Sequence, residues 1–234
     1  MTEQRRTVMI TGAAGNLGRC VAASFHASGA NLVLVDLRRE NLAQAAGAED
    51  ERRLFAPIDL LDQAQVHDAV KAAVDRFGRI DVLCNLAGGF RMGEAVHETA
   101  DANWDFLFDL NARTLLHAVR AVVPGMIERG GGKIVNVGAF SAQKGQALMG
   151  AYGAAKGAVI RLTESMAAEL REKNINVNCV LPTLINTPEN RAAMPHADPA
   201  RWVAPQDLAN VIAFLASDNA RAIHGAALSV TGLS

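Results

Sequence analysis

Short runs of apolar, β-branched residues recur along the whole chain, and a stretch of helical pattern separates each run from the next. Several runs, such as VMI, LVLV and KIVNV, are apolar on both faces, which is typical of strands buried on both sides of a parallel sheet. Strands that alternate with helices indicate right-handed βαβ crossovers. The sequence therefore predicts an α/β fold with a doubly wound parallel sheet and helices on both of its faces.

The pattern predicts about seven strands. These are Thr7–Thr11, Asn31–Asp36, Leu54–Asp59, Ile80–Leu86, Lys133–Val137, Asn176–Leu181 and Ala227–Val230. The clearest helical patterns span Gln63–Phe77, Ala102–Ile127 and Ala154–Lys173.

No linker or shift in composition divides the chain, so we expect residues 1–234 to form a single domain. The longest segment without periodicity is Pro182–Trp202, which contains four prolines. A long irregular segment in a small domain is usually a lid or a binding loop. We therefore predict a substrate loop at about residues 182–204.

The charge balance argues against several classes of partner. Among 234 residues, 23 basic and 24 acidic side chains give a net charge of −1 without basic blocks, so nucleic acid is not expected as a partner. No apolar run approaches the ~18 residues of a membrane span, and the run at Val8–Ile10 is too short for a signal peptide. Three widely spaced cysteines, Cys20, Cys84 and Cys179, are typical of reduced thiols in the cytoplasm, and no metal-ligand spacing occurs.

The first turn between strand and helix has the composition of a dinucleotide site. The sequence Thr11-Gly-Ala-Ala-Gly-Asn-Leu-Gly18 follows a predicted strand and precedes a helix predicted from about Arg19. Glycines let the backbone approach a pyrophosphate, and the helix N-terminus supplies unpaired N–H groups. The spacing differs from the usual G-x-G-x-x-G, so a glycine-rich turn without a ligand is the alternative. With the strand and helix around it, the turn favours a Rossmann-type NAD(P)-binding domain.

Asp36 ends the second predicted strand, where the dinucleotide pattern places an acid that binds the ribose 2′-hydroxyl. A carboxylate there would repel the 2′-phosphate of NADP. The sequence therefore favours NAD(H). Arg38 and Arg39 follow closely and keep NADP(H) possible, and the alternative for Asp36 is a solvated acid at a strand end.

Tyr152 and Lys156 form a candidate acid–base pair. They are four residues apart at the start of a helical pattern, and therefore lie on one helix face. A tyrosine has an ordinary pKa near 10, whereas efficient acid–base catalysis needs a value near the working pH. A neighbouring ammonium favours the phenolate, so we expect Lys156 to lower the pKa of Tyr152.

These features together resemble the single-domain type of the short-chain dehydrogenase/reductase family. The resemblance covers residues 7–232 and rests on TGAAGNLG, Asp36, Asp59, Asn85-Leu-Ala-Gly88, Asn111, Tyr152-x-x-x-Lys156 and Pro182…Thr187. It implies that Asp59 and Leu60 hold the adenine, and that Asn85–Gly88 supports the adenosine ribose. It also implies that Asn111 completes a proton relay through Lys156, and that Ile185 and Thr187 hold the nicotinamide carboxamide. Taken singly, Asp59 could instead cap a helix, Asn111 could bond to helix backbone, and Thr187 could be a turn residue.

The predicted catalytic residues are therefore Tyr152, Lys156 and Asn111. The full predicted cofactor site consists of Gly12, Gly15, Asn16, Leu17, Gly18, Asp36, Leu37, Asp59, Leu60, Asn85, Ala87, Gly88, Tyr152, Lys156, Pro182, Ile185 and Thr187.

The chain departs from the family pattern at three positions. Asn16 replaces a glycine of the turn, and we expect asparagine to tolerate a positive φ there. Thr183 replaces the glycine that follows Pro182. Ala139 stands where the family has its catalytic serine, 13 residues before the tyrosine. If the strand continued, Ser141 would share the face of Ala139 but lie about 6.6 Å away, so only a bulge would let it substitute.

Several segments are similar to dihydropteridine reductases, which reduce a quinonoid pterin. They are Cys84–Gly89, Ala139, Tyr152–Val159 and Leu184–Asp198. Such a substrate has less need of a serine that holds a carbonyl oxygen. Asn111, in contrast, fits the general family pattern.

The sequence thus predicts an NAD(H)-dependent oxidoreductase that acts on a small carbonyl or hydroxyl substrate. Reduction of a quinonoid substrate and a non-catalytic NAD(H)-binding sensor are the alternatives. The two long helical patterns at Ala102–Ile127 and Ala154–Lys173 have apolar residues on more than one face, so we expect one face to cover the sheet and another to need a partner. The family resemblance implies that the partner is a second copy, in a homo-oligomer that is a dimer or a tetramer. The substrate pocket is expected at Gly89–Met92, Phe140–Met149 and Pro182–Trp202, with polar contacts chosen from Arg91, Gln143, Gln146, Asn186, Asn190 and Arg191.

Overall fold

Seven parallel strands form one sheet in the computed structural model, which describes residues 5–234. Their order across the sheet is β3-β2-β1-β4-β5-β6-β7. The strands are β1 (Thr7–Thr11), β2 (Asn31–Asp36), β3 (Arg53–Pro57), β4 (Val82–Asn85), β5 (Gly132–Val137), β6 (Ile175–Pro182) and β7 (Ala227–Val230). This confirms the predicted α/β Rossmann-type fold with a doubly wound sheet in a single domain.

The strand order reverses between β1 and β4, which pair with Thr11 opposite Asn85. In a sheet of this kind, a crevice opens outside the carboxyl ends of the two strands at such a reversal. The residues that follow Thr11 and Asn85 therefore lie on either side of one crevice.

Helices cover both faces of the sheet. Helices α1 and α8 pack on one face, and α3, α5 and α6 pack on the other. The helices are α1 (Asn16–Ala27), α2 (Arg39–Ala46), α3 (Gln63–Phe77), α4 (Asp101–Phe108), α5 (Thr114–Glu128), α6 (Gly150–Leu170), α7 (Pro188–Ala193) and α8 (Pro205–Leu215).

Strand β1 shows why the runs are apolar on both faces. Val8 and Ile10 belong to the core under α1 and α8, whereas Met9 belongs to the core on the opposite face. All three side chains are fully buried. Because side chains alternate along a strand, a strand between two helical layers must be apolar at every position.

Helix α1 begins at Asn16, three residues before the predicted start at Arg19, because Gly15 is its N-cap with an extended backbone. Asn16 is therefore helical, and the expectation of a positive φ at this position is wrong. The positive φ of the turn, 65°, is at Gly12.

The helix predicted at Ala102–Ile127 is divided in two. Helix α4 ends at Phe108, a π-helical turn spans Asp109–Arg113, and α5 follows from Thr114. Single π turns within helices are frequent at functional sites. This one contains Asn111, whose side chain is buried.

Further features differ from the prediction, among them the bounds of β3, β4, β5 and β6, each by one or two residues at one or both ends. Helix α6 begins at Gly150 rather than Ala154, so both Tyr152 and Lys156 are helical. The segment after β6 contains the short helix α7 and is closed by a parallel bridge between Ile185 and Val203. None of the helices between residues 5 and 234 has the length and apolar character needed to cross a bilayer.

Candidate active site

The glycine-rich turn after β1 is packed so closely that side chains are excluded. A Cβ atom at Gly18 would lie 2.2 Å from the carbonyl oxygen of Gly12, and one at Gly12 would lie 2.9 Å from the backbone nitrogen of Ala87. Both neighbours are backbone atoms, so neither can rotate away. The glycines are therefore required by the contact between the β1 and β4 loops as well as by the shape of the turn.

The first turn of α1 opens at this packed turn and suits an anion. Its N-cap, Gly15, provides no side-chain hydrogen bond, and the first turn contains no acidic residue. The first N–H groups of a helix lack backbone acceptors and carry the positive end of its dipole. The turn and the helix together form a cradle, and the pyrophosphate site predicted from the sequence lies at this cradle.

Asp36 is fixed at the side of this cradle. Its Oδ2 accepts a hydrogen bond from Ala14 N at 3.0 Å, and its Oδ1 accepts one from Leu37 N at 2.9 Å. Arg39 pairs with Glu49 and lies over the ring of Phe55, with 5.8 Å from its guanidinium carbon to the ring centroid.

Arg38 is exposed just before α2. Of the two arginines that could hold a 2′-phosphate, Arg39 is therefore engaged elsewhere.

The loop after β3 contains the predicted adenine contacts. Asp59 Oδ1 accepts a hydrogen bond from Leu61 N at 2.8 Å, which forms a tight turn. The N-cap of α3 is Asp62, so Asp59 is not the helix cap. Leu60 is buried, whereas Leu37, which follows the neighbouring strand β2, exposes 66% of its surface.

Thr11 connects the two sides of the crevice. Its Oγ1 accepts hydrogen bonds from Leu86 N at 3.1 Å and from Ala87 N at 3.2 Å. Sequence reasoning used Thr11 only as part of the motif. Its role as a hydrogen-bond acceptor for the β4 loop follows from the position of β1 beside β4, which only the strand order shows.

Asn85 belongs to a buried polar chain. Its Nδ2 donates to Asn136 Oδ1 at 2.9 Å, and Asn136 Nδ2 donates to Thr163 Oγ1 at 2.8 Å. Asn85 Oδ1 is buried, and no hydrogen-bond partner for it occurs among residues 5–234. These two hydrogen bonds therefore link β4, β5 and α6. The sequence analysis did not predict the parts played by Asn136 and Thr163.

Tyr152 and Lys156 lie on the first two turns of α6. The Lys156 amine is buried and donates to the Val137 carbonyl at 2.8 Å, and burial lowers the pKa of Lys156 to about 8. The ring of Tyr152 meets Phe90 edge to face, with centroids 4.8 Å apart. Burial raises the pKa of Tyr152 to about 12, opposite to the expected direction, because desolvation disfavours the phenolate.

Asn111, Gly88 and Lys156 meet beneath this helix. Asn111 Oδ1 accepts from Gly89 N at 3.1 Å, and its Nδ2 donates to the carbonyls of Gly89 and Leu107. A Cβ atom at Gly88 would lie 2.8 Å from Asn111 Oδ1 and 3.1 Å from Lys156 Nζ. The structure thus brings these three predicted residues together. Asn111 also makes the helix-backbone bond that the sequence left as the alternative.

The loop after β6 reaches the cradle from the other side. Pro182 ends β6, and Thr187 Oγ1 accepts from Asn190 N at 3.2 Å as the N-cap of α7. Asn16 Nδ2 donates to Glu189 Oε2 at 2.7 Å, which ties α7 to the start of α1. Sequence reasoning missed this contact, since nothing in the local pattern relates residues so far apart.

The arrangement corresponds to a known family. A sequence model described as short chain dehydrogenase matches residues 6–198. The chain belongs to the short-chain dehydrogenase/reductase family.

Individual family members match over nearly the whole chain. The subunit BbsD of (2S)-[(R)-hydroxy(phenyl)methyl]succinyl-CoA dehydrogenase from Thauera aromatica is 34% identical, over 98% of this chain and 96% of its own length. Carveol dehydrogenase from Mycobacterium avium, solved with NAD, is 30% identical with a TM-score of 0.88, over 97% of this chain and 96% of that one. Gluconate 5-dehydrogenase from Burkholderia cenocepacia, solved with NADP and tartrate, is 29% identical with a TM-score of 0.87. The match covers 97% of this chain and 94% of that one.

Ala139 is the main chemical departure from the family pattern. Its methyl group is buried just after β5. The chain then turns into a 3₁₀ helix at Phe140–Gln143, so the strand does not continue and the expected spacing of Ser141 along it does not apply. The position of the family serine is therefore apolar, and Ser141 lies on a separate helical turn.

Proposed function

We propose that the protein is an NAD(H)-dependent oxidoreductase that interconverts a small carbonyl compound and the corresponding alcohol. The observation that carries the proposal is the meeting of Gly88, Asn111 and Lys156 next to Tyr152, at the same crevice as the glycine cradle. The relatives with dehydrogenase activity support the same class of chemistry.

A nicotinamide cofactor, when bound, supplies or accepts the hydride. Tyr152 exchanges the proton with the substrate oxygen. Because burial alone raises the pKa of Tyr152, proton exchange near neutral pH requires a positive charge beside the phenolate. We assign this charge to Lys156, which is one helical turn away, and Asn111 completes the proton relay.

Asp36 is the basis for preferring NAD(H). Two backbone hydrogen bonds fix its carboxylate beside the glycine-rich turn, which supports a role in binding the ribose 2′-hydroxyl. A carboxylate in that role would repel a 2′-phosphate. Ile185, Thr187 and Pro182 would hold the nicotinamide end, and Asp59 and Leu60 the adenine end. Relatives solved with NAD and with NADP support a nicotinamide cofactor of either kind.

The Tyr152→Phe variant tests the proposal. It removes only the hydroxyl, so turnover of a panel of small ketones with NADH should fall about 10²–10⁴-fold, as is typical for loss of a general acid. NADH affinity, measured by its fluorescence, should change by less than about threefold, a difference of under ~1 kcal/mol. Full activity of the variant would overturn the assignment of Tyr152. NADH binding without turnover of any substrate would favour the sensor.

Reduction of a quinonoid substrate is the second candidate, and the buried methyl group of Ala139 favours it. On a ketone, Ala139→Ser adds a donor to the developing oxyanion and should raise turnover by up to about 10²–10³-fold. On a quinonoid pterin the new hydroxyl has no such oxyanion to bind, so the rate should stay constant or fall. A rise in ketone turnover in Ala139→Ser would favour the carbonyl substrate. An unchanged or lower rate on the pterin, without a rise on any ketone, would favour the quinonoid substrate.

We also propose that the protein is a homo-oligomer. Trp104 and Phe108 stack on α4 with centroids 4.4 Å apart, and Trp104 keeps 45% of its surface exposed. Phe108 is half-buried, so Trp104 supplies most of the exposed apolar surface here. Apolar surface exposed on a helix supports a contact with another subunit. Sedimentation should give a dimer or tetramer, and a stable monomer of 24.8 kDa would contradict the proposal.

A further inference from the structure

A cavity of about 180 Å³ opens beside Tyr152. The loop after β4, helix α4 and the start of α6 form its walls, with Leu107, Leu148 and Met149 as apolar lining and Arg91 and Glu94 as charged lining. The volume is below the ~300–1,000 Å³ typical of sites for drug-sized ligands, so the cavity suits a small molecule.

Arg91 is held in one orientation at this cavity. Its guanidinium carbon lies 3.6 Å from the centroid of the Phe106 ring, and its Nη1 donates to Asn103 Oδ1 at 2.8 Å. Stacking on an aromatic face and a hydrogen bond to a fixed amide both restrict the side chain. The ordering of a long side chain is therefore largely complete before a ligand binds.

Asn103 is itself oriented by a second contact. Its Nδ2 donates to Glu94 Oε1, and Glu94 Oε2 accepts from Ala100 N at 3.3 Å. This fixes the amide so that its oxygen faces Arg91. The hydrogen bonds from Glu94 to Asn103 and from Asn103 to Arg91 thus fix the position of the Arg91 guanidinium at the cavity.

The backbone around the cavity is fixed as well. Gly93 N donates to the Leu148 carbonyl at 2.8 Å, and Glu94 forms a parallel bridge with Met149. Leu148 has a φ of 61°, which is strained for a leucine. Strain of this kind is concentrated at functional sites, where the surrounding contacts maintain it.

The hydrogen-bond donors of Arg91 exceed the acceptors around it. A guanidinium has five N–H donors, and within residues 5–234 only the bond to Asn103 uses one of them. Within residues 5–234, Arg91 forms no ion pair with a carboxylate at 4.0 Å or less. Both oxygens of the nearby Glu94 already accept hydrogen bonds from other groups. An oriented cation with unused donors beside a catalytic tyrosine matches an anionic group on the substrate.

We infer that Arg91 binds a carboxylate of the substrate, so that the substrate class is a small oxo acid and the corresponding hydroxy acid. This inference rests on the proposed oxidoreductase function. The planar fork of Arg91 matches a carboxylate, and the nearby negative charge of Glu94 disfavours a doubly charged phosphate.

Matched pairs of ketones test the inference. The pairs are 3-oxobutanoate with 3-oxobutanamide, and 4-oxopentanoate with 4-oxopentanamide, each reduced with NADH. The acids and amides have nearly the same shape and differ in charge. We expect kcat/KM to be at least tenfold higher for one acid than for its amide. Equal values within both pairs would overturn the inference.

Variants of the arginine identify the source of the preference. Arg91→Gln should lower kcat/KM for the acid at least tenfold and leave the amide within about twofold, whereas Arg91→Lys should keep part of the preference. Arg161→Gln removes a cation of the exposed pair with Glu164 on α6 and should leave the ratio unchanged. An unchanged acid-to-amide ratio in Arg91→Gln would also overturn the inference.

A binding measurement separates this inference from the proposed reaction. Calorimetry with NADH-saturated enzyme should show pentanoate binding at least tenfold more tightly than pentanamide, and Arg91→Gln should abolish the difference. If the difference is present but no ketone is turned over, the proposed reaction fails and the anion site stands. If the two ligands bind equally, the anion site fails regardless of turnover.

Discussion

The cofactor cradle and the substrate cavity lie side by side, yet they are built in different ways. The cradle consists of backbone: Gly12 and Gly18 meet other main-chain atoms, and Thr11 ties the β4 loop to it through two N–H groups. The cavity consists of side chains from the loop after β4, from α4 and from the start of α6, and Arg91 depends on Phe106 and Asn103 of α4 for its position.

The difference shows which part of such a site can vary. A backbone cradle accepts only glycine at its closest contacts, so its requirements are visible in a short stretch of sequence. A cavity lined by side chains outside the sheet can change its ligand with few substitutions and without disturbing the sheet. Four variants test this contrast, in order of decreasing expected effect.

Gly18→Ala should break the cradle. The new Cβ would lie 2.2 Å from Gly12 O and 2.8 Å from Ala13 Cα, so the backbone must move. We expect NADH affinity, measured by fluorescence, to fall about a hundredfold, or ~2.7 kcal/mol. Gly157→Ala is the matched control, because a Cβ there has no neighbour within 4 Å among the described residues.

The control should bind NADH normally and unfold with a free energy about 0.5–1 kcal/mol higher, since alanine favours a helix. Normal NADH binding by Gly18→Ala would show that the cradle tolerates a side chain.

Lys156→Met should reveal what the buried amine costs in stability. Burial lowers the pKa of Lys156 from 10.5 to about 8, so below pH 8 the folded protein must hold a disfavoured charge. Between pH 8 and 10.5 the folded state loses this proton before the unfolded state does, and the wild type gains stability as pH rises. The variant's free energy of unfolding minus that of the wild type should therefore be about 2–3 kcal/mol larger at pH 7 than at pH 10.

Urea unfolding of both proteins at the two pH values measures this difference. Lys144→Met, at an exposed lysine, should show no comparable change with pH. A difference that is the same at pH 7 and pH 10 for Lys156→Met would contradict the prediction.

Asp36→Ala should change which cofactor the cradle prefers. The wild type should bind NADH at least tenfold more tightly than NADPH, about 1.4 kcal/mol. The variant should narrow this difference mainly by improving NADPH binding, because a repulsive carboxylate is removed. Titration of both cofactors measures it, and a wild-type preference for NADPH would show that Arg38 determines the choice.

Glu189→Gln tests the contact that joins the loop after β6 to the cradle. Glu189 binds Asn16 at the start of α1. Hydrogen bonds from its own backbone N–H, from Thr187 and from Asn16 lower the pKa of the Glu189 carboxyl, so it is charged. Its charge therefore lies where a pyrophosphate would be repelled, and the variant should bind NADH about two- to threefold more tightly at low salt. Weaker binding would mean that the contact holds the loop closed over the cofactor. Glu172→Gln, an exposed acid elsewhere, is the control.

Local patterns predicted much of the fold and part of the site. Strands β1, β2 and β7 and helix α3 match their predicted bounds, because buried strands and amphipathic helices have distinct periodicities. The start of α1 was misplaced, because Gly15 takes the N-cap role without a side chain. The π turn at Asp109–Arg113 has no sequence signature of its own and was missed.

The sequence by itself determined the parallel α/β sheet, the glycine-rich turn after the first strand, and the tyrosine and lysine one helical turn apart. Each of these features depends on residues close together in the chain, whose relative positions are set by the backbone geometry of a strand, a turn or a helix. Only the tertiary structure decided that Thr11 holds the β4 loop, that Asn111 reaches Gly89, and that Arg91 lies near Tyr152 without an ion pair among residues 5–234. These contacts join segments distant in sequence, and their geometry follows from how the sheet and helices pack rather than from any local pattern.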